Sequence, residues 1–363
     1  MSKQETPPIE FQQESSWDHG ELLEACSACQ CVFLVSPEHS KQICPICSQA
    51  DLVPEPDKEA RWAPELVLPI QIDQQTFKNY MERFLDEVPY KTNDLTVDNL
   101  VERVRVVWWP QWLVDADLEG EWEATVGYNY QVKTARERYG NDGWKSQNVL
   151  RTEIRYEPRM GTMNRHHDNV IIPALHTNEE RIRQLGEYDR KQVVKFKDGI
   201  LDRASIQLPT IEPGELREVA EDKFRLIAEK EILEATGAQH RQEINYRGVF
   251  KNMNWSKFLL PIFSSYYVDD HQQCHPVVMN AQSGKLYGRR MASLKKARKK
   301  TLGLAALLML VFLVLILASL LSPSGGIVCI VGAALLLGTL ALIPLIRASV
   351  WNRRQEKTVS QFR

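Results

Sequence analysis

A long uncharged run near the C-terminal end constrains this 363-residue chain more than any other feature. No Asp, Glu, Lys, Arg or His occurs between Thr301 and Ile346. The run contains two apolar stretches, Leu302–Leu321 and Ile327–Ile346, which are separated by the small polar segment Ser322–Gly326. A helix of about 20 residues, rising about 1.5 Å per residue, spans the roughly 30 Å hydrocarbon core of a bilayer. The pattern therefore predicts a two-helix transmembrane hairpin over residues 301–346.

The charge of the chain is as unevenly divided as its hydropathy. The whole chain carries a net charge of −2, whereas residues 289–363 contain twelve Lys or Arg and one acid, which leaves about −13 for residues 1–288. Basic residues flank the uncharged run on both sides, in the polybasic segment 289–300 and the basic tail 347–363. Cytoplasmic loops of membrane proteins carry such an excess. We therefore expect a multi-pass protein of the cell (inner) membrane with both termini in the cytoplasm. Anionic lipid headgroups would be partners of residues 289–300.

Five of the seven cysteines lie between residues 26 and 47. Four of them, Cys26, Cys29, Cys44 and Cys47, have the spacing C-x2-C-x14-C-x2-C of a zinc ribbon. Each C-x2-C pair forms a tight turn that offers two sulfurs to one metal, and four thiolates around Zn²⁺ make a closed structural site. Such thiolates require a reducing compartment, which agrees with a cytosolic position. The pattern predicts a small β-rich zinc ribbon over residues 21–50 with one structural Zn²⁺.

Two further side chains in this segment could replace a zinc ligand. Cys31 follows Cys29 by two positions, and His39 lies in the intervening stretch, but the spacing favours the four-cysteine set. The ribbon could be only a staple for the fold, or it could also bind a partner. Residues 21–50 contain one Lys and no Arg against three Glu, whereas binding to a phosphate backbone requires clustered Lys and Arg. A protein partner is therefore favoured over nucleic acid.

The remaining segments are assigned by composition and periodicity. We predict a disordered N-terminus over residues 1–20, a Pro- and acid-rich linker over 51–65, and an α+β cytosolic domain with antiparallel hairpins over 66–288. Apolar spacings of three and four residues predict helices over 75–88 and 213–236. Strand-like segments are a short strand over 65–72, a hairpin over 104–132 that turns near 118–121, strands over 149–157 and 168–173 after a loop at 133–144, and further strands over 240–290.

An internal duplication of the α+β domain is a further hypothesis. Pro110 and Pro261 each lie between bulky apolar residues, and each precedes an aromatic-rich run and a polar turn. Proline is excluded from central strands, so both positions are expected at an edge or a bulge.

No catalytic motif is present in the sequence. It lacks a phosphate-binding loop, dinucleotide-binding glycines, a nucleophile elbow and an H-E-x-x-H zinc motif. The adjacent His166 and His167 would point to opposite faces of a strand, so a polar loop is favoured over a metal site. The Trp-rich run 108–122 is expected to lie in the core. We therefore predict that the protein is not an enzyme and has no catalytic residues. Five alternating acids are expected to form a solvated face, with a cation site as the alternative: Asp115, Asp117, Glu119, Glu121 and Glu123.

Several stretches together resemble a family of bacterial TFIIB-type zinc-ribbon-containing membrane proteins. They are the ribbon, LPIQI with the helix after it, VVWWPQWLVDADLEGEW, FLLPIFSSYYV and PVVMNAQSGKLYG. In the last stretch Ala281 stands where the family usually has glycine, which leaves the type of turn open. Some relatives resemble partners of SPFH (flotillin-like) proteins and of envelope-stress proteins of the phage-shock-protein-A type. The resemblance implies similar partners for this chain.

These observations predict a membrane-anchored zinc-ribbon scaffold or adaptor. It would present a cytosolic protein-interaction surface in membrane or envelope-stress organisation. One alternative is a membrane-tethered nucleic-acid-binding protein that acts through the zinc ribbon. Another is a ligand or ion sensor that acts through the α+β domain. No small-molecule substrate is indicated.

Overall fold

The computed structural model describes residues 22–37, 40–55, 64–141, 143–197, 204–320 and 326–360, without the side chains at 315, 318–320, 326–337 and 358–360. The predicted disordered segment 1–20 and much of the predicted linker 51–65 lie outside the described residues. The helices are α1 (Gln74–Asp86), α2 (Val97–Glu102), α3 (Asn178–Leu185), α4 (Arg217–Thr236), α5 (Leu294–Leu320) and α6 (Gly326–Ser360). The strands are β1 (Leu22–Cys26), β2 (Val32–Val35), β3 (Leu52–Pro54), β4 (Leu66–Val67), β5 (Arg105–Gly140), β6 (Gly143–Pro173), β7 (Val194–Lys195), β8 (Ala204–Gln207), β9 (His240–Val268), β10 (Cys274–Asn280) and β11 (Leu286–Gly288).

The strands form one mixed sheet of eleven strands, in the order β11-β10-β9-β5-β8-β2-β1-β3 with β4, β6 and β7 off this path. The strands of the cysteine-rich segment belong to this sheet, because β2 pairs with β8 (Phe33 opposite Gln207). Strand β8 in turn pairs in parallel with β5 (Val107 opposite Ser205). The predicted fold class, a separate ribbon beside an antiparallel α+β domain, is therefore wrong. The pairing with β8 provides hydrogen-bond partners for the backbone edge of β2, which a free ribbon would leave unpaired.

The chain divides into two compact units. The first unit comprises residues 111–174 and 211–258, and the second unit contains the other described residues. In the first unit β5 and β6 form a continuous antiparallel hairpin, with pairs from Gln111 opposite Pro173 to Gly140 opposite Gly143. Helix α4 packs on this hairpin with Phe224 and Ala228 fully buried. The predicted helix over 213–236 is confirmed, and Gly237 ends it in the left-handed conformation at φ +64°.

The predicted hairpin over 104–132 is wrong, as are the loop over 133–144 and the separate strands after it. Strand β5 runs through 118–121 without turning, and the chain reverses only between Gly140 and Gly143. Gly120, the glycine in the expected turn, instead lies against the backbone of Gly248 in β9, where a side chain would overlap Cα of Gly248. This glycine therefore permits a close approach of two strands.

Two apolar clusters of the second unit include strands of the sheet. In one, α1 and α2 cover β9 and β10, with Phe77, Met81 and Leu100 among the buried residues. Helix α1 confirms the helix predicted over 75–88, and Asp73 caps its start with a carboxylate that accepts from Thr76 N at 2.7 Å. The other cluster joins β2, β4, β8 and β9 around Trp108, which has an exposed fraction of 2%. Trp109 and Trp112 are also buried, so the core position predicted for the tryptophans of this run is confirmed for these three.

The prediction of a transmembrane hairpin over residues 301–346 is overturned. Among the described residues, no helix has both the length and the apolar character that crossing a membrane requires. Five of the first seven residues of α5 are Lys or Arg.

This finding also bears on the predicted spans and on the predicted location. The spans 302–321 and 327–346 are wrong as membrane-crossing helices, although α5 and α6 do pack against each other. The multi-pass location in the cell membrane with cytoplasmic termini rested on those spans and is wrong as well. Most of the predicted connecting segment, Ser322–Gly326, lies outside the described residues.

Polar contacts join the C-terminal part of α6 to the backbone of Arg290 and Ala292. The side chain of Asn352 makes two hydrogen bonds with the backbone of Ala292. It accepts from the N–H at 2.7 Å and donates to the carbonyl at 3.0 Å. Trp351 Nε1 donates to Arg290 O at 2.5 Å. The Arg290 guanidinium lies 5.3 Å from the Phe84 ring centre and 5.4 Å from that of Trp351.

Candidate metal centre

Two turns of the same construction carry the four predicted ligands. In the first turn Gln30 N donates to Cys26 O at 2.8 Å, and in the second Ser48 N donates to Cys44 O at 3.0 Å. Gln30 and Ser48, each directly after the second cysteine of its pair, adopt the left-handed conformation at φ +59° and +54°. The shared geometry turns both cysteines of each pair toward one point.

The four sulfurs have the spacing that one tetrahedral metal requires. Cys26 Sγ lies 3.6 Å from Cys47 Sγ, and Cys29 Sγ lies 3.7 Å from Cys44 Sγ. All four sulfurs lie within 4.8 Å of one another. Sulfurs bound at about 2.3 Å to a tetrahedral ion are about 3.8 Å apart. The sequence-predicted ligands Cys26, Cys29, Cys44 and Cys47 therefore lie close together and could bind one metal ion.

The protonation of the cluster fits a site for a cation. Hydrogen bonds from Cys31, Cys44 and Cys47 hold the pKa of Cys29 far below its usual range. Hydrogen bonds to Cys29, together with burial, raise the pKa of Cys31 and Cys44 and raise that of Cys47 to about 12. A divalent ion bound here would supply positive charge that favours the thiolate form of the sulfurs.

Cys31 lies beside the cluster and is not part of the four-sulfur set. Its thiol hydrogen-bonds with Cys29 and with the guanidinium of Arg181. Arg181 also donates to Gln207 Oε1 at 2.7 Å and lies over the ring of Trp109 at 5.5 Å. Cys31 therefore contacts Cys29, one of the four predicted ligands, but does not belong to the four-sulfur set. The other alternative ligand, His39, lies outside the described residues.

Three contacts from distant parts of the second unit fix the second cysteine turn. Arg105 donates from a guanidinium nitrogen to Ile43 O at 2.9 Å. The hydroxyl of Ser264 donates to Pro45 O, and Gln49 Nε2 donates to Cys274 O at 2.8 Å. Sequence reasoning missed these residues, because no local pattern connects them to the cysteines. The arrangement anchors the metal site in the sheet.

A buried carboxylate supports the first strand of the ribbon. Glu24 has an exposed fraction of 1% and accepts from Ser40 Oγ at 2.5 Å and from Lys41 N at 3.1 Å. Lys41 itself adopts a left-handed conformation at φ +56°. The charge of Glu24 is therefore used to hold the 40–41 turn and does not face the sulfurs.

The other sequence-predicted polar clusters do not come together as metal sites. Within the described part of the chain, the four cysteines are the one group of His, Cys, Asp and Glu with ligand geometry. Asp117 contacts His166 at 2.6 Å and Asn252 at 2.7 Å, and Glu119 contacts Lys251 at 2.5 Å. Two of the five acids, Asp117 and Glu119, are thus partly exposed and make polar contacts with neighbouring strands.

His166 and His167 lie within strand β6, so the loop predicted for them is wrong, whereas their predicted divergence is confirmed. His166 contacts Asp117 on one face of the strand, and its pKa is raised by that hydrogen bond. His167 packs toward Phe224 on the other face.

Comparison with known proteins identifies no relative. No protein-family model, no curated protein and no solved structure matches this chain. The resemblance to TFIIB-type zinc-ribbon-containing proteins therefore stays a prediction.

Proposed function

We propose that the four cysteines hold one Zn²⁺ and that the protein is a zinc-stabilised, non-enzymatic scaffold that binds protein partners. The observation that carries the metal assignment is the set of four sulfurs within 4.8 Å of one another. Four thiolates in a tetrahedron are the donor set of structural zinc, with iron as the main competitor. Such a site has no open coordination position, so it supports folding and does not activate water.

Metal analysis of matched cysteine variants tests the zinc assignment. We expect one equivalent of zinc per purified chain by inductively coupled plasma mass spectrometry. Cys44→Ser should lose that equivalent, because it removes a ligand. Cys31→Ser should retain it, because Cys31 lies outside the four-sulfur set. Stoichiometric iron in place of zinc, or equal loss of metal in both variants, would refute the assignment.

The scaffold role is supported by the surface of the two C-terminal helices. Large exposed apolar side chains are concentrated there, and Leu307, Leu310 and Leu313 have exposed fractions of 58%, 61% and 57%. Contiguous apolar surface of this kind marks an interaction site. The first turns of α5 add five cations at the border of this surface. The fitting partner is therefore a protein with an apolar face bordered by acidic residues.

The resemblance noted in the sequence supplies two partner candidates for a binding test. We expect a purified flotillin-like or phage-shock-protein-A-type protein to bind the full chain in biolayer interferometry. Leu310→Glu should weaken this binding at least tenfold, because it places a charge in the apolar surface.

A matched control variant is available on another helix. Leu226 on α4 has an exposed fraction of 62%, close to that of Leu310, so Leu226→Glu makes the same chemical change elsewhere. Binding should be unchanged in this variant. If neither candidate binds, or if both variants bind equally, the scaffold proposal fails in this form, whereas the metal assignment is judged by its own analysis.

A further inference from the structure

Strand β6 forms an edge of the sheet. Within the part of the chain that the structure describes, β6 pairs with β5 alone. Every second residue of such a strand directs its backbone N–H and C=O groups away from the paired strand, toward the open side. Strand β6 has 31 residues, whereas an ordinary strand has about five or six. Its outer edge is therefore a long template on which a further strand can pair.

Arginine and glutamate alternate along the middle of this edge strand. Arg151, Glu153, Arg155 and Glu157 occupy every second position, so their side chains share one face. The centre of this group is Ile154, and the order of the charges is reversed about it. If a second β6 pairs antiparallel about Ile154, Arg151 lies opposite Glu157 of the other copy, and Glu153 lies opposite Arg155. Each pairing occurs twice, because the two copies are equivalent.

The register about Ile154 suits the charges better than the neighbouring registers do. Moving the two-fold axis by one residue in either direction would bring arginine opposite arginine and glutamate opposite glutamate. Moving it by two residues toward the N-terminus would halve the number of opposite-charge pairs. Moving it by two residues toward the C-terminus would keep that number but would place Pro158, which has no N–H to donate, within the paired segment. With the axis at Ile154, all the charged pairs lie within residues 151–157, before this proline.

The opposite face of the same segment carries apolar side chains. Leu150, Ile154, Tyr156 and Met160 alternate with the charged residues, and all four side chains are exposed. An exposed apolar row of this kind is typical of an interaction site. Pairing about Ile154 brings that side chain against its own counterpart and places the two apolar rows side by side. Cross-strand contacts between such side chains add to the stabilisation from the backbone hydrogen bonds.

We propose that β6 pairs with β6 of a second copy of this chain, antiparallel about Ile154, and that the protein forms a two-fold symmetric dimer through this edge. Such an interface is isologous, because the same segment contributes both sides. The two hairpins of β5 and β6 then form one continuous four-stranded segment of sheet. The self-complementary order of the charges selects a second copy over an unrelated strand.

The charged groups already make contacts within the single chain. Glu157 contacts Arg155 at 2.7 Å and Arg159 at 2.9 Å, and both arginines are exposed. Glu153 accepts from Tyr130 Oη at 3.1 Å. Exposed contacts of this kind contribute little to stability. Each carboxylate has further lone pairs, so it can accept hydrogen bonds from the second copy as well.

This inference goes beyond the proposed function and concerns a different surface, because neither the four cysteines nor the C-terminal helices take part. The alternative is that the charges prevent strands from pairing at this edge. Charges of one sign serve that purpose, because they repel a second copy in every register. An alternating row instead attracts a second copy in one register. If the alternative holds, the protein forms no dimer through β6.

Sedimentation velocity of the full chain tests the inference. We expect a dimer whose dissociation constant rises about tenfold or more in Arg155→Glu, because this change brings glutamate opposite glutamate at two symmetric positions. The exchange of Glu153→Arg together with Arg155→Glu should restore the dimer, since opposite charges face each other again. Arg136→Glu is the matched control, because it reverses an exposed arginine on the same face of the hairpin but on β5. It should leave the dissociation constant unchanged, and circular dichroism establishes that each variant is folded.

Cysteine substitution on the two-fold axis tests the register. In Ile154→Cys the two introduced thiols face each other across the paired strands, with about 4.5–5.5 Å between Cβ atoms, so mild oxidation should join the chains. In Thr152→Cys the new thiol faces Tyr156 of the other copy and should link much more slowly. Mass spectrometry of the linked peptides distinguishes these disulfides from those of the native cysteines. A monomeric chain, a dimer that Arg155→Glu leaves unchanged, or equal linkage at residues 152 and 154 would overturn the inference.

Discussion

The Asp94 carboxylate connects α2 and the residue that follows it to strand β9. It accepts from Arg103 at 2.5 and 2.8 Å, from Asn99 Nδ2 at 2.8 Å and from Val268 N at 2.7 Å. The hydrogen bonds from Arg103 are the largest cause of the lowered pKa of the Asp94 carboxyl group. A carboxylate whose pKa is lowered by folding stabilises the fold above its unfolded pKa of about 3.9 and loses that contribution as pH falls through the folded value.

We predict that Asp94→Asn lowers the free energy of unfolding by about 2 kcal/mol at pH 7, because it weakens charge-assisted hydrogen bonds. The loss should shrink as pH falls below about 4, because the unfolded chain takes up a proton there and the native carboxylate takes one up only at its lowered pKa. Urea denaturation from pH 3 to 7 measures both effects. Asp86→Asn, an exposed acid at the end of α1, is the control. A destabilisation that does not change with pH would contradict the argument.

Gly284 is the position that the turn before β11 requires to be glycine. It adopts φ +77°, and an added Cβ would overlap the ring of Tyr80. We predict that Gly284→Ala destabilises the protein by about 2 kcal/mol or more, through backbone strain and displacement of the ring. Gly140→Ala should have little effect, because nothing lies within 4 Å of its added Cβ. Thermal denaturation compares the two, and similar losses would argue against the steric explanation.

The sequence could predict this turn at Asn280–Lys285 but not which residue needs the unusual backbone. Ala281, where the resembling family has glycine, is fully buried, and its N–H donates to Pro261 O at 3.2 Å. The residue with positive φ is Gly284, three positions after Ala281. Alanine is therefore compatible with this turn at position 281, because the unusual backbone conformation is needed at Gly284.

At the scale of elements, two helix starts differ in a way that allows a direct comparison. Asp73 caps α1 through its side chain, whereas Thr177 before α3 makes no side-chain cap. We predict that Asp73→Ala costs about 1 kcal/mol of stability and that Thr177→Ala costs a few tenths at most. Chemical denaturation checks both variants. Equal effects would show that the hydrogen bond to Thr76 does not contribute.

Helices were more predictable than strands, and the reason is physical. The apolar spacing of α1 and α4 is set by their own faces, so it can be read locally. Strand β5 contains three glycines, several acids and a polar outer half, a composition that resembles turns and loops. Its continuity depends on β6 and on the backbone of Gly248, which are distant in sequence. Such pairing leaves no signal within the strand itself.

At the scale of the whole molecule, the metal site and the sheet should lose structure together. Strand β2 leads from the first cysteine turn into pairing with β8, and Phe33 is fully buried there. We predict that removal of the metal by a chelator raises hydrogen exchange in β1, β2 and β8. Exchange in α4 of the first unit should change much less. Mass spectrometry with and without chelator measures this, and protection retained in β8 would contradict it.

The set of four neighbouring cysteines was predictable, because the spacing of Cys26, Cys29, Cys44 and Cys47 is local and specific. The position of that set in an eleven-stranded sheet was not, since it depends on β8, far along the chain. Composition and local spacing indicate which element or site a segment can form. Pairing with strands that are distant in sequence determines where that segment lies in the sheet.

The pairing of β2 with β8 has a consequence for synthesis. The two cysteine turns are complete once Cys47 has emerged from the ribosome, but the strand that covers β2 begins only at Ala204. At about 5 to 20 residues per second, that interval is about 8 to 31 s. During it a metal-loaded ribbon would present Phe33 and an open strand edge to the cell. A nascent chain of this protein is thus a natural client for a chaperone that shields one short strand.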